Sequence, residues 1–272
     1  MSLLQDWLPP SRPYWELVLY GFQLFPLFTI TQWLSDFHPQ GKTSIHSRLN
    51  LPGKWAWSMM ELVGPVTVVY CMRNIPKRSG IELSWRDWIF PSLYCLHYSY
   101  RAVISPLIRS PSMSPIHPIV FLSAVGFNIA NGLSIGGYFA GYGPLPVVST
   151  KMVTGIAIWA LGLCGNIYHD EILADIRRSA SSKHDKKGVQ KLYLLPEGGL
   201  FRYALYPHYL CEWLEWFGFY LAAGWECQPA RTFLLNEIAT MTPRAVAGRR
   251  WYMQKFGKDR VGNRYAVIPG VL

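Results

Sequence analysis

Charge is scarce in this chain. Asp, Glu, Lys and Arg make up 15% of its 272 residues, against about 25% in an ordinary soluble domain. Some stretches have none. No such residue occurs between Arg109 and Lys151, and Met152–His169 is again uncharged. A membrane-spanning helix needs about 20 mostly apolar residues, and soluble proteins rarely offer two such stretches in succession. The scarcity argues against a soluble all-helical protein with a large core.

Other absences narrow the field. The five cysteines, Cys71, Cys95, Cys164, Cys211 and Cys227, are scattered, and no pair has metal-ligand spacing. They read as buried free thiols. No Gly-x-Gly-x-x-Gly follows a strand, and Gly198-Gly199 reads as a turn, so a Rossmann domain is not expected. There is no internal repeat and no low-complexity tract. The start, Met1-Ser-Leu-Leu-Gln-Asp6, lacks the basic opening of a secretory signal. The first span is expected to serve as an uncleaved anchor, and the C-terminus shows no lipidation motif.

What is present fits a bilayer. Aromatic residues make up 15% of the chain, including 12 Trp and 16 Tyr, types that gather at membrane interfaces. Spans are predicted at Tyr14–Leu34, Trp55–Met72, Trp88–Leu107, within 110–150, at Met152–His169, at Tyr203–Gly224 and, more weakly, at Phe233–Ala247. The expected fold is an all-α integral membrane protein, about seven transmembrane helices in one bundle, with residues 1–272 a single polytopic domain. The net charge of +10 is unevenly placed. Arg177, Arg178, Lys183, Lys186, Lys187 and Lys191 separate the fifth and sixth spans, and a second basic group runs from Arg249 to Arg264. The positive-inside rule puts both in the cytosol, so the C-terminus is cytosolic. Arg73, Lys77, Arg78 and Arg86 run against this rule. Ser179–Gly188 reads as a polar cytosolic loop. Nucleic-acid binding is not expected, because the basic residues flank spans rather than forming one groove.

Ionisable residues lie inside the spans, where a charge costs at least about 2.5–3.5 kcal/mol on insertion scales. Glu61 is in span two, and His97, Tyr98 and Arg101 are in span three. Asn166 and Asp170 end span five, while His208, Glu212 and Glu215 lie in span six. At about 100° per residue, Asn166, Asp170 and Arg177 fall within about 40° of one another. His208, Glu212 and Glu215 also share a face, and so do Arg244, Gly248 and Tyr252. Three such faces point to one polar cavity near the cytosolic side; interhelical hydrogen bonding that only holds the bundle is the plainer alternative. His208-x-x-x-Glu212-x-x-Glu215 also has spacing that suits zinc. With no second histidine on that face and no cysteine pair, no metal is expected.

As a set, these positions resemble the steroid 5α-reductase family over roughly residues 120–272. The resemblance runs through Asn131-Gly132 with Gly136 and Tyr138, Asn166-Ile-Tyr-His-Asp170 and Arg177. It continues in Tyr193-Leu-Leu-Pro-Glu-Gly-Gly-Leu-Phe201 and Pro207-His-Tyr-Leu-Cys-Glu212 with Glu215-Trp216. Arg244-Ala245, Trp251-Tyr252, Lys255-Phe256 and Ala266-Val-Ile-Pro269 complete it. The N-terminal half matches at Glu61 and at Cys95-Leu-His-Tyr98 with Arg101. The chain departs from the family pattern at His208, often Asn, and Cys211, often Gly. Gly248 stands where histidine is usual, and Met60 where glutamine is frequent.

The resemblance implies a seven-helix bundle of the endoplasmic reticulum. It further implies NADPH entering from the cytosol and a steroid-like lipid enone as substrate within membrane lipid. It leaves an enoyl thioester or polyprenol reductase of the same fold open, and also a non-catalytic sterol-binding protein. Enone reduction needs hydride at the β-carbon, a proton at the α-carbon, and donors for the carbonyl oxygen as charge builds there. Glu61 and Tyr98 fit that donor role; Glu61 donates only as the neutral acid, the form an apolar surround favours in carboxyls. Arg177 and Arg244 suit the cofactor phosphates. Asn131, Asn166, Asp170, Tyr193, His208, Glu212 and Tyr252 are expected to hold the rest of the cofactor.

Overall fold

The computed structural model describes residues 6–34, 47–184 and 193–272, with the backbone alone over 180–184. Helix dominates these residues. The extended pairings among them are isolated bridges, such as Leu51 with Ile116 and Ala204 with Tyr265. The helices are α1 (Arg12–Gln23), α2 (Phe25–Leu34), α3 (Gly53–Ser79) and α4 (Ile89–Tyr98), which continues as π-helix over Ser99–Arg109. Then come α5 (Pro118–Gly137), α6 (Thr150–His184), α7 (Pro207–Ala223), α8 (Gln228–Phe256) and the short α9 (Lys258–Val261).

Local sequence explains the boundaries. Proline stands in the first turn of α5, α7 and α8, where its missing N–H and fixed φ cost nothing. Gly80 ends α3 in the left-handed conformation at φ 65°, with Lys77 and Arg78 in the last turn. The π-helix contains Pro106, and at its end the Ser110 N–H reaches back five residues to the Ser105 carbonyl at 2.8 Å. Wide turns of this kind often mark functional positions, and Arg101 lies in this one.

Arg12–Leu34, Pro118–Tyr142 and Thr150–Ser179 are long and apolar enough to cross a membrane, by length and composition. The helices that carry Glu61, Arg101 and Glu212 are made less apolar by those residues. Phe28, Leu122 and Leu161 expose 65–69% of their surface. Water tolerates such a belt of large apolar side chains poorly, and lipid favours it.

Glycine sets the closest helix approaches. A Cβ on Gly162 of α6 would stand 2.6 Å from Glu215 Cα and 2.7 Å from the Cys211 carbonyl oxygen on α7. One on Gly132 of α5 would lie 2.8 Å from the Gly64 oxygen on α3. Small residues let membrane helices approach backbone to backbone. At the other end of the core, the Trp15 indole donates to the Ser134 carbonyl at 3.0 Å, and the Asn236 amide to the Phe22 carbonyl at 2.9 Å.

Two expectations are corrected. The polar loop predicted from Ser179 begins later, because α6 runs on to His184. Between Asn166 and His184 there is neither Gly nor Pro to stop it, and Ala, Arg, Leu and Lys favour helix. The remainder of that predicted loop, 185–188, lies outside the described residues. The cysteines are not uniformly buried either: Cys71, Cys211 and Cys227 are, whereas Cys95 is half-buried and Cys164 exposed. Cys164 sits on the outward face of α6, next to exposed Leu161.

Candidate active site

The polar faces of α6 and α7 meet because glycine lets the two helices close up. The Asn166 amide donates to the His208 carbonyl at 3.0 Å and to Glu212 Oε2 at 3.2 Å. The same Glu212 oxygen accepts from Arg101 Nη1 at 3.1 Å, and Arg101 Nε lies 3.5 Å from Glu61 Oε1. A continuous polar chain therefore runs from α3 through the π-helix and α7 to α6. Glu61, Glu212 and Asn166 are buried within it.

Tyr98 is tied to the start of this chain. Its hydroxyl donates to Asn128 Oδ1 at 3.2 Å, and the Asn128 amide donates to the carbonyl of Met60 at 2.9 Å. Met60 directly precedes Glu61, so Asn128 fixes the two expected oxyanion donors relative to each other. Behind them, His97 Nδ1 stands 2.8 Å from Glu215 Oε1, and Nε2 stands 3.9 Å from Glu212 Oε1. His97 and Glu215 are both buried.

The remaining predicted residues divide into groups. Asp170 is within electrostatic reach of Arg101 and Arg177, and Tyr252 of Arg177 and Arg264. Arg244 faces Tyr209 and Glu237 in the same sense. His208 packs edge-on to Tyr209 with ring centroids 4.6 Å apart. Asn131 is placed elsewhere: it donates to the Tyr94 hydroxyl at 2.9 Å, on the Tyr98 side. Tyr193 rests against Trp251 at 5.0 Å, under the Lys255 ammonium.

His169 anchors the turn that leads into α7. Its Nδ1 donates to the Gly165 carbonyl at 2.6 Å, and its Nε2 accepts from the Leu200 N–H at 3.1 Å. That pair of bonds defines a neutral tautomer. Gly198 and Gly199 have φ of 93° and 49°, so the predicted turn is present and needs glycine.

The sequence marks Arg101 as an in-span charge and a point of family resemblance without giving it a role, yet it is the hub that joins Glu61 to Glu212. The sequence reading passes over Asn128, Tyr94 and Glu237. Glu237 lies inside the predicted seventh span, so the rule that found Glu61 also applies to it. Asn128 offers no such signal, since its partners come from two other helices. Two surface depressions lie apart from the polar faces of Asn166, Glu212 and Arg244. One depression of about 310 Å³ lies between α6 and 194–197, lined by Ile172, Asp175, Leu195 and Glu197. Another, of about 400 Å³, is lined by Arg202, Tyr203 and Arg264. Among the described residues, no group of three or more His, Cys, Asp or Glu side chains is arranged to hold a metal ion.

Among the described residues, a helical bundle with lipid-facing apolar surface and an interior chain of polar and ionisable side chains defines an integral membrane protein with a buried polar site. Residues 114–272, more than half of the chain, match the family model described as 3-oxo-5-alpha-steroid 4-dehydrogenase. The chain is 29% identical to the steroid 5-alpha-reductase of Solanum lycopersicum, over 90% of this chain and 91% of that protein. It is 29% identical to 3-oxo-5-alpha-steroid 4-dehydrogenase 1 of Mus musculus, over 93% and 94% of the two chains. It is 40% identical to an uncharacterized protein of Schizosaccharomyces pombe, over 85% and 90%. The chain belongs to the steroid 5-alpha-reductase family, whose members are oxidoreductases acting on CH–CH groups.

Proposed function

We propose that the protein uses NADPH to reduce the Δ4 double bond of a 3-oxo steroid or similar lipid enone. The observation that carries this reading is the polar chain from Glu61 through Arg101 and Glu212 to Asn166, with Tyr98 held beside its first member. It joins the residues expected at a substrate carbonyl to those expected around a dinucleotide. The plant and mouse relatives, named as steroid reductases, support the same substrate class.

The donor set suits the cofactor. Arg177 and Arg244 have no carboxylate within 4 Å among the described residues. Guanidinium groups not committed to carboxylates are good phosphate ligands. Asn166, Asp170, His208, Glu212 and Tyr252 supply hydrogen-bonding groups and ring faces for the cofactor, with Tyr193 at the margin, whereas Asn131 lies apart on the Tyr98 side. NADPH, when bound, supplies the hydride.

The chain's own residues would act at the carbonyl. Arg101 is shared by Glu61 and Glu212, and one guanidinium balances one carboxylate. Glu212 is held at hydrogen-bond distance, while Glu61 is the longer contact. Glu61, the less closely held of the two, is therefore read as the group that turns to the carbonyl oxygen, where only its neutral acid form can donate. Tyr98, whose single hydroxyl hydrogen is directed at Asn128 Oδ1, would swing it to that oxygen as the second donor. Together they stabilise charge that develops only as the β-carbon is reduced.

In this reading the bundle has seven spans in one domain, resides in the endoplasmic reticulum with a cytosolic C-terminus, and uses residues 120–272 for cofactor binding. The deciding experiment incubates purified protein with NADPH and a panel of enones and analyses products by mass spectrometry. A gain of two hydrogens at the conjugated double bond of a 3-oxo-Δ4 steroid is expected. Turnover only of an enoyl thioester or a polyprenol would move the substrate assignment. A folded protein that binds no NADPH would end the enzyme reading.

A further inference from the structure

Gly248 occupies the buried face of α8 that also bears Arg244 and Tyr252, one helical turn to either side. The family pattern usually has histidine at this position. Here the space is already filled. A Cβ built on Gly248 would overlap the hydroxyl oxygen of Tyr206 and lie 2.8 Å from its Cε2. Tyr206 comes from the N-terminal boundary of α7, and its backbone is pinned there. Its N–H donates to the Ala266 carbonyl at 2.9 Å, and the preceding Leu205 N–H to the Tyr265 carbonyl at 2.9 Å. The ring is packed among Tyr209, His208 and Tyr252, with centroids 5.2, 5.6 and 6.4 Å away.

We infer that Tyr206 is a cofactor-binding residue, its phenol delivered from α7 into the gap at Gly248 so that its hydroxyl lies between Arg244 and Tyr252. The ligand is the phosphate- and ribose-bearing part of a nicotinamide dinucleotide, to which a phenol can donate one hydrogen bond. This rests on the proposed NADPH dependence. Three features support it. The phenol lies over the helix face that carries Arg244, a cation without a carboxylate partner among the described residues. The ring neighbours His208 and Tyr252, already read as cofactor residues. The glycine at 248 is explained by the ring, since any side chain there would expel the phenol from this position.

The test measures NADPH binding by nicotinamide fluorescence, beside thermal unfolding without cofactor. Tyr206→Phe keeps the ring and removes the hydroxyl; it should weaken NADPH binding about tenfold, as expected for a lost hydrogen bond to a charged group, with unfolding little changed. Gly248→Ala should weaken binding at least as much by displacing the ring. In Tyr206→Gly, which is weakened too, adding Gly248→His should recover most of the lost affinity, because the vacated room then takes a polar ring from α8. Wild-type affinity in Tyr206→Phe would overturn the inference while leaving the NADPH reading intact. So would a Gly248→Ala protein that loses only thermal stability and binds normally. Failure of the wild-type protein itself to bind NADPH would overturn the NADPH reading and this inference with it.

Discussion

Arg101 donates to Glu212 across 3.1 Å, although 111 residues of chain separate them. The contact fastens the π-helix that continues α4 to α7, and the same guanidinium faces Glu61 on α3. Removing the cation leaves two buried carboxylates opposed only by more distant charges. Breaking one partner out of such a buried network typically costs about 3–5 kcal/mol. Arg101→Gln should therefore lower the unfolding temperature strongly, and Arg101→Lys should recover only part, since one ammonium does not reproduce a fork that serves two acids. A double-mutant cycle with Glu212→Gln should give a coupling of about 0.5–3 kcal/mol. Additive losses would show that the two residues do not act as a pair.

Gly162→Ala tests whether helix approach sets the site. Its Cβ meets α7 backbone rather than a movable side chain tip. The helices must separate, at a cost of about 1–3 kcal/mol for an overpacked contact. Separation should also break the Asn166 bonds to His208 and Glu212, so NADPH affinity should fall together with stability. Gly126→Ala on α5, where nothing lies within 4 Å of the added Cβ, should leave both near wild type. Differential scanning fluorimetry and a binding titration on the same samples decide it.

Arg177 is exposed near the C-terminal end of α6 and lies within electrostatic reach of Asp170 and Tyr252. Arg177→Ala should raise the NADPH requirement by about tenfold or more, the size of a lost charge-assisted hydrogen bond. The steroid requirement should stay within about twofold, far below a one-bond loss. Steady-state kinetics with each substrate varied in turn would show this; weakened steroid binding with normal NADPH affinity would contradict it.

Much of this arrangement was legible before the structure. In-span charge is costly enough that Glu61, Asp170 and Glu212 stood out, and helical spacing put Asn166 and Asp170 on one face. The α6–α7 meeting of those faces was expected, and the Asn166 bonds to α7 supply it. Spacing could not show what crosses between helices. Arg101 serves two acids from different rods, and Asn128 links Tyr98 to the Met60 carbonyl, relations set by packing alone. Loop reading failed at Ser179 because Ser and Lys occur in both loops and exposed helix ends. Gly248 was readable as a departure from the family pattern, but nothing in the sequence pointed to Tyr206, and only the fold shows its ring filling the space at Gly248.

The most discriminating prediction concerns Glu61 and Tyr98. Both are read as donors to one carbonyl oxygen, and losing one such donor costs about 2.7–4 kcal/mol, or roughly 10²–10³ in rate. Tyr98→Phe also frees Asn128 Oδ1, a single neutral bond worth about 0.5–1.5 kcal/mol of stability. Its rate loss should therefore greatly exceed its stability loss. Glu61→Gln keeps an amide donor and a group that can still face Arg101, so it should lose less than Glu61→Ala. If both serve the same oxygen, the double variant should be less impaired than the product of the single losses. The competing account is that Glu61 and Tyr98 only brace α3 against α4 through Arg101 and Asn128. Bracing predicts that turnover falls in step with unfolding temperature, and that Arg101→Gln and Tyr98→Phe look alike. Turnover and thermal unfolding should be measured on the same preparations, with NADPH affinity as a control expected to stay near wild type. Near-normal turnover in both Tyr98→Phe and Glu61→Ala would remove these residues from the chemistry, whatever the family of the protein.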